Sequence, residues 1–171
     1  MEPSSDRAKV VIVIAEYDAA WPRTFDALAA EIWSLLPDVA RDVMHVGSTS
    51  VPGLAAKPII DIVLVVDDSS DEAQYSGPLV AAGYELRVRE PDWHEHRMLK
   101  RYQPTVNLHV FSRDCEEIDR MVRFRDWLRT HDEDRELYES TKRALAARPW
   151  EKGQDYADAK HDVVEIGRAH V

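Results

Sequence analysis

The chain has 171 residues, 44% of them hydrophobic, with 32 acidic against 22 basic side chains and a formal net charge of −10. That length fits one domain able to bury roughly 70% of its unfolded surface, and the acidic balance argues against a general nucleic-acid binder, because phosphate backbones attract basic surfaces. A lone cysteine, Cys115, suits a reducing compartment, the leading MEPSSDRAK lacks a signal peptide's apolar core, and no apolar run nears the ~20 residues of a membrane helix, so a cytoplasmic protein off the membrane is expected.

Residues 1–8 are polar and expected to be disordered, which leaves 9–171 as a single domain. Lys9 to Ala15 is rich in valine and isoleucine and predicts a short strand. Tyr17 and Asp18 read as turn and cap residues, and Trp21 as core. A helix is predicted from Pro22, with Phe25, Leu28, Ile32 and Leu36 at helical spacing and Pro37 as its stop. Asp42 to Val46 predicts the first central strand. His45 within it is either a half-buried strand residue or a site residue. Gly47 permits a tight turn and close approach of a ligand. Ser48 can cap a following short helix, donate to a phosphate, or do both. Pro52-Gly53 and Lys57-Pro58 bracket that helix, and Lys57 is either a phosphate contact or a solvated loop lysine.

Pro58 to Val66 is a continuous apolar run broken only by Asp61. Alternation places Ile59, Asp61, Val63 and Val65 on one face and Ile60, Ile62, Leu64 and Val66 on the other. A strand apolar on both faces is covered on both sides. Burying an unpaired ion there costs several kcal/mol, so Asp61 needs a cation, a strong donor or a cavity. With Gly47-Ser48 just upstream, it predicts an anion or metal site.

Ser69 and Glu72 have capping-box spacing for a helix ending near Gly83, with Gly77-Pro78 as a midway break. Tyr84 to Arg89 predicts a strand, and Arg97 to Tyr102 with Val106 to Phe111 a hairpin around Gln103-Pro104-Thr105. His96, Arg97, Lys100 and Arg101 make this hairpin locally basic, as an anion pocket would require, although a solvated basic hairpin has the same composition. His94 and His96 have a spacing found in metal sites. His109 interrupts the apolar run NLHVF. The last third is helical: Asp114 to Arg129 carries Arg125 on its apolar stripe, an unusual place for an arginine. Thr130 and Glu133 suggest a capping box for the next helix, with Leu137, Tyr138, Thr141, Ala144 and Leu145 inward. A final helix after Gly153 would align Tyr156, Lys160, Val163 and Val164, and Lys160 there either snorkels or reaches a phosphate.

The segment HVGSTSVPGLAAKPIIDI resembles the signature of the GrpB family, whose fold belongs to the nucleotidyltransferase superfamily. Tyr17-Asp18, Trp21-Pro22, His96-Arg97, His109, Phe124-Arg125-Asp126, Tyr156 and Lys160 resemble further family marks, so the likeness spans nearly the whole chain. It implies an α/β (α+β) fold: a small mixed sheet flanked by helices, with C-terminal helices closing a cleft. It also implies a nucleotidyltransferase-like protein that moves a nucleotidyl group from a nucleoside triphosphate to a small acceptor. Asp61, Arg97 and Lys100 would be catalytic. Gly47, Ser48, Lys57, His96, Arg125, Tyr156 and Lys160 would bind substrate phosphate, and Asp61 with His109 would bind Mg²⁺ or Mn²⁺. Active members of the superfamily carry a second carboxylate two residues after the first, where this chain has Val63. Three outcomes stay open: a one-metal site, completion by Asp18 or Asp126, or binding of a nucleotide-like ligand without transfer. The last suits an accessory role, since some family members are fused to dephospho-CoA kinase. A metal-dependent phosphohydrolase using Asp61, His96 and His109 is a further alternative.

Overall fold

The computed structural model of the chain describes residues 12–147. Its sheet comprises β1 (Asp42–Val46), β2 (Ile60–Val66), β3 (Glu85–Glu90), β4 (His96–Arg101) and β5 (Val106–Ser112), in the spatial order β1-β2-β5-β4-β3. β2 and β5 run parallel and the other neighbouring pairs antiparallel, so the sheet is mixed. The helices are α1 (Trp21–Leu35), α2 (Ser76–Ala81), α3 (Glu116–Thr130) and α4 (Asp132–Ala146). Among the described residues no helix is long and apolar enough to cross a membrane.

The two apolar faces of β2 meet different partners, as its alternation predicts. Ile60, Ile62, Leu64 and Val66 join Leu99, Leu108 and Val110 in the main core, with Leu28 and Ile32 of α1 and Leu79 of α2. Val63 and Val65 join Val46 and Phe111 in a second cluster, against Ile118, Met121 and Val122 of α3. Burying one such side chain contributes roughly 1.5–3 kcal/mol, so the central strands are anchored from both sides.

Several local expectations are corrected. β1 lies at the sheet's edge, not its centre, because strand order is set by long-range pairing. The described part of the predicted 9–15 strand makes only an isolated bridge, Ala15 to Ala56. No α-helix follows Gly47-Ser48; a single 3-10 turn, Ser48–Ser50, takes its place. The Ser69/Glu72 capping box does not form. Ser69 donates its hydroxyl to the Glu95 carbonyl, and Glu72 is drawn to Arg89 and Arg97. Pro78 then falls in the first turn of α2, where a missing N–H is harmless, instead of breaking a longer helix. Thr130 closes α3 by bonding back to Asp126 O. On α4, Leu137 is 63% exposed and the buried positions are Tyr138 and Lys142. The 1–8 segment and the final helix after Gly153 lie outside the described residues.

Register also relocates Arg97. It pairs with Val110 on the face shared by Leu108 and Ile62, whereas His109, Asn107 and Asp61 face the other way. Its buried guanidinium bonds Glu72 at 2.7 Å and Glu95 at 3.2 Å. Hydrogen bonds from Arg89, joined by those from Arg97, hold the Glu72 carboxyl down at about 2. A depressed carboxylate contributes stability that is present above its ordinary pKa and lost as pH falls through the folded value. Denaturant melts should therefore show stability falling between pH 4.5 and about 2, with a shallower slope in Glu72→Gln. Glu72→Ala should cost about 2 kcal/mol at neutral pH, because Arg97 loses its shorter ion pair and keeps only the one to Glu95.

Candidate functional site

Val46 pairs with Asp61 across the β1–β2 ladder, so the chain leaving β1 must turn directly over that carboxylate. Gly47 makes the turn at φ +73°, and a Cβ there would stand 2.5 Å from Asp61 Oδ2 and 2.9 Å from Asp61 Cβ. Conformation and space thus both demand glycine. The turn that follows is pinned from below. Thr49 donates its hydroxyl to Ile59 O at 3.0 Å, so its oxygen accepts from His45 Nε2 at 2.9 Å. His45 stacks on Phe25 with centroids 4.8 Å apart, and burial pushes its pKa down to about 4. Register places His45 with Ile62, on the core side of the sheet, so it is a structural support for the turn.

Above the turn lies a cleft of about 70 Å³, several times the roughly 10–15 Å³ that one water needs. Its lining is part polar, with Gly47, Ser48, Asp61 and Arg125, and part apolar and aromatic, with Val51, Phe124, Leu128 and Tyr138. Cations gather around it. Arg125 donates to His45 O at 3.0 Å and to Asp126 at 2.9 Å. Arg129 donates twice to Ser50 O, at 3.0 and 2.8 Å. Burial, and then the neighbouring Arg125 charge, lower the Arg129 pKa, against the opposing pull of Asp126 at 3.7 Å. Lys142, 2% exposed, extends its ammonium to Ser48 Oγ at 2.8 Å, 5.0 Å from the Tyr138 ring.

A second line of polar groups crosses the same face of the sheet. Glu90 Oε1 lies 2.8 Å from His96 Nδ1, His96 Nε2 lies 3.0 Å from His109 Nδ1, and His109 Nε2 lies 3.3 Å from Asp61 Oδ1. Asn107, the register partner of Asp61 on β5, has its Oδ1 buried with no hydrogen-bond partner. No three His, Cys, Asp or Glu side chains converge on one point among the described residues. Asp61 and His109, 3.3 Å apart, nonetheless offer two donors to a divalent ion that takes its remaining ligands from phosphate and water.

The structure thus brings Gly47, Ser48, Asp61, His109 and Arg125 together. His96 reaches the site only through His109, because both of its nitrogens are engaged; it is 6% exposed and has no donor left for a phosphate or a metal. Arg97 is excluded by its face. Lys100 shares the site face as the partner of Asn107, two strand spacings, roughly 10 Å, from Asp61. Lys57 lies ahead of β2, outside the cleft lining. Asp18 and Asp126 do not complete the carboxylate set: Asp18 accepts from Ala20 N and Asp126 from Arg125. Tyr156 and Lys160 lie outside the described residues. Sequence reasoning passed over Asn107, Arg129 and Lys142. The only signal for Lys142 was its position four residues after Tyr138 on α4, one helical turn away.

Gly47→Ala should destabilise the chain by about 2 kcal/mol, through backbone strain and the clash with Asp61. In a thermal double-mutant cycle, its loss and that of Asp61→Gly should fall short of additivity by about 1 kcal/mol. Strictly additive losses would show that the two residues are not in contact.

The family model described as GrpB protein matches residues 11–167. A UPF0157 protein of Halalkalibacterium halodurans is 56% identical over 154 residues, covering 90% of this chain and 79% of the relative. The crystal structure of the conserved protein GrpB from Enterococcus faecalis superposes with a TM-score of 0.73 at 28% identity, over 90% of this chain and 98% of that one. The Cid1 poly(U) polymerase, solved with Mg 3′-dATP bound, superposes at TM-score 0.54 and 14% identity over 75% of this chain and 42% of its own. That likeness shows a nucleotidyltransferase-like fold. The chain belongs to the GrpB family.

Proposed function

We propose that the chain binds a nucleoside triphosphate in the cleft beside Gly47 and Asp61 and transfers its nucleotidyl group to a small hydroxyl-bearing acceptor. The observation that carries this reading is the cleft's mixed lining, which joins the charged Asp61 and Arg125 to the aromatic Phe124 and Tyr138. A nucleotide has the same mixture, an anionic tail on an aromatic base. The fold's likeness to nucleotidyltransferases supports it, and the net charge of −10 supports a small acceptor over a nucleic-acid strand.

On this reading Ser48, Arg125 and Lys142 hold the phosphates, while Phe124 and Tyr138 flank the base or sugar. The acceptor oxygen bonds to the α-phosphorus as the bond to the bridging oxygen breaks. Pyrophosphate leaves with that electron pair, and the hydroxyl proton passes to water. A divalent ion such as Mg²⁺ or Mn²⁺, held through Asp61, supplies charge neutralisation on the phosphates when bound. The chain contributes positioning and fixed positive charge, the main sources of rate in phosphoryl chemistry.

A second reading, binding without transfer, is favoured by Val63. It is fully buried in an apolar cluster where a second carboxylate would stand, so a two-metal arrangement lacks oxygen ligands.

Calorimetry with ATP and a pyrophosphate-release assay separate the two. Transfer predicts binding and Mn²⁺-dependent release, with release lost in Asp61→Asn and affinity lowered about tenfold or more in Lys142→Ala and Arg125→Ala. Binding without release selects the second reading. Absence of binding removes both.

A further inference from the structure

Register lays one row of side chains across the site face of the sheet. Asp61 on β2 pairs with Asn107 on β5, Asn107 with Lys100 on β4, and Lys100 with Glu85 on β3. Residues directly opposite one another in a ladder present their side chains on the same face. β1 and β5 flank β2 on opposite sides. Asp61 therefore has the Gly47-Ser48 turn, with Arg125 and Lys142, to one side, and Lys100 to the other.

Lys100 differs from the other cations of its strand. Arg97 holds Glu72 and Arg101 holds Glu31. Among the described residues no carboxylate closes on Lys100. Glu85, directly across the ladder, bonds Arg87 at 3.0 Å instead. The Lys100 ammonium lies 5.5 Å from the centre of the Tyr102 ring, itself 55% exposed. Asn107, on the other side, carries no charge. Lys100 is half-buried, so its charge is partly stripped of water and has no fixed anion to replace it. The triphosphate of the nucleotide reading engages the cations on the turn side of Asp61. That leaves Lys100, on the far side, for a second anion.

We propose that the acceptor for nucleotidyl transfer is a small hydroxylated anion, a sugar phosphate or a hydroxy acid, whose charged group rests on Lys100 while its hydroxyl lies beside Asp61. This deepens the transfer reading and rests on it. Lys100 is then a binding residue for the acceptor and takes no part in holding the triphosphate. Two strand spacings, roughly 10 Å, separate the backbones of Lys100 and Asp61. Both side chains reach into that gap, so a short carbon chain spans what remains. In the transfer step the hydroxyl oxygen of the bound anion bonds to the α-phosphorus as the bond to the bridging oxygen breaks. Pyrophosphate leaves with that electron pair, and the hydroxyl proton passes to water. The product is a phosphodiester that keeps the acceptor's own charge.

The test is amide-resolved NMR of the full labelled chain saturated with α,β-methylene ATP and Mg²⁺, titrated with glycerol phosphate, with glycerate, and with uncharged glycerol. The anions should shift the Lys100 and Asn107 amides and glycerol should not; the tighter of the two anions tells a phosphate site from a carboxylate site. Lys100→Met keeps the aliphatic stem and should weaken the anion about tenfold or more. Lys100→Arg should restore binding and Lys100→Glu abolish it, with affinity for the analogue unchanged in all three. With ATP in place of the analogue, the anion should raise pyrophosphate release, and Lys100→Met should raise its KM while kcat stays close to wild type. Anions that leave the Lys100 amide unmoved, or that bind Lys100→Met as well as the wild type, overturn the acceptor site and leave the nucleotide reading standing. An anion that binds at Lys100 without raising release overturns its role as acceptor. No binding of the analogue overturns both readings.

Discussion

The structure depends on one close approach, the backbone of Gly47 lying against the Asp61 side chain with no room for a methyl group between. That contact fixes where β1 ends and where the turn toward Ser48 begins. It also leaves the carboxylate beside a cleft and not sealed in the core. A residue with a Cβ at position 47 would have to push the acid away, moving the carboxylate that lines the cleft. His45 and Thr49 brace the arrangement from the core side, through hydrogen bonds that end on the carbonyl preceding β2. The supports therefore lie on one side of the sheet and the cleft on the other.

That division runs through the whole sheet. The face carrying Ile62, Leu64, Leu108 and Val110 packs beneath α1 and α2. The opposite face is apolar near Val63, Val65 and Phe111 and becomes polar toward Asp61, Asn107 and His109. Helices α3 and α4 bring cations to the polar end. Arg125 is anchored on the His45 carbonyl of β1, Arg129 on the Ser50 carbonyl of the turn, and Lys142 on the Ser48 hydroxyl. Anchoring on carbonyls and hydroxyls fixes these cations in place, with Asp126 offsetting part of the charge of Arg125 and Arg129, and fixed cations are what pre-organised recognition of a phosphate requires. An overall acidic protein can hold an anion in this way because the local arrangement, not the net charge, sets the field in a narrow cleft.

Much of this was legible in the sequence because the signals were local. A single acid in an apolar run picked out the central strand and the carboxylate that lines the cleft, and strict alternation assigned the two faces of β2. The β4–β5 hairpin followed from apolar runs on either side of a proline-containing turn. What escaped was decided by distant partners. Neighbours in a strand point to opposite faces, so His96 and Arg97 could not both serve one site, and only register showed which of them shares the Asp61 face. Ser69 and Glu72 had capping spacing, but Glu95 and two arginines made better partners than a helix end. Lys142 reads as a solvent residue because lysine on a helix usually is one. Its burial depends on the aromatic ring of Tyr138 and the hydroxyl of Ser48, which the fold brings to it.

The central claim is that an anionic nucleotide occupies the cleft where Gly47 meets Asp61. Amide-resolved NMR of the labelled chain, titrated with a non-hydrolysable nucleoside triphosphate and a diamagnetic divalent ion, tests it most directly. The account predicts that the largest shifts fall at Gly47, Ser48, Asp61, Asn107 and Arg125, with the core face of the sheet, including Arg97, left nearly still. Shifts centred on Arg97 and Glu72, or none at saturating ligand, would contradict it.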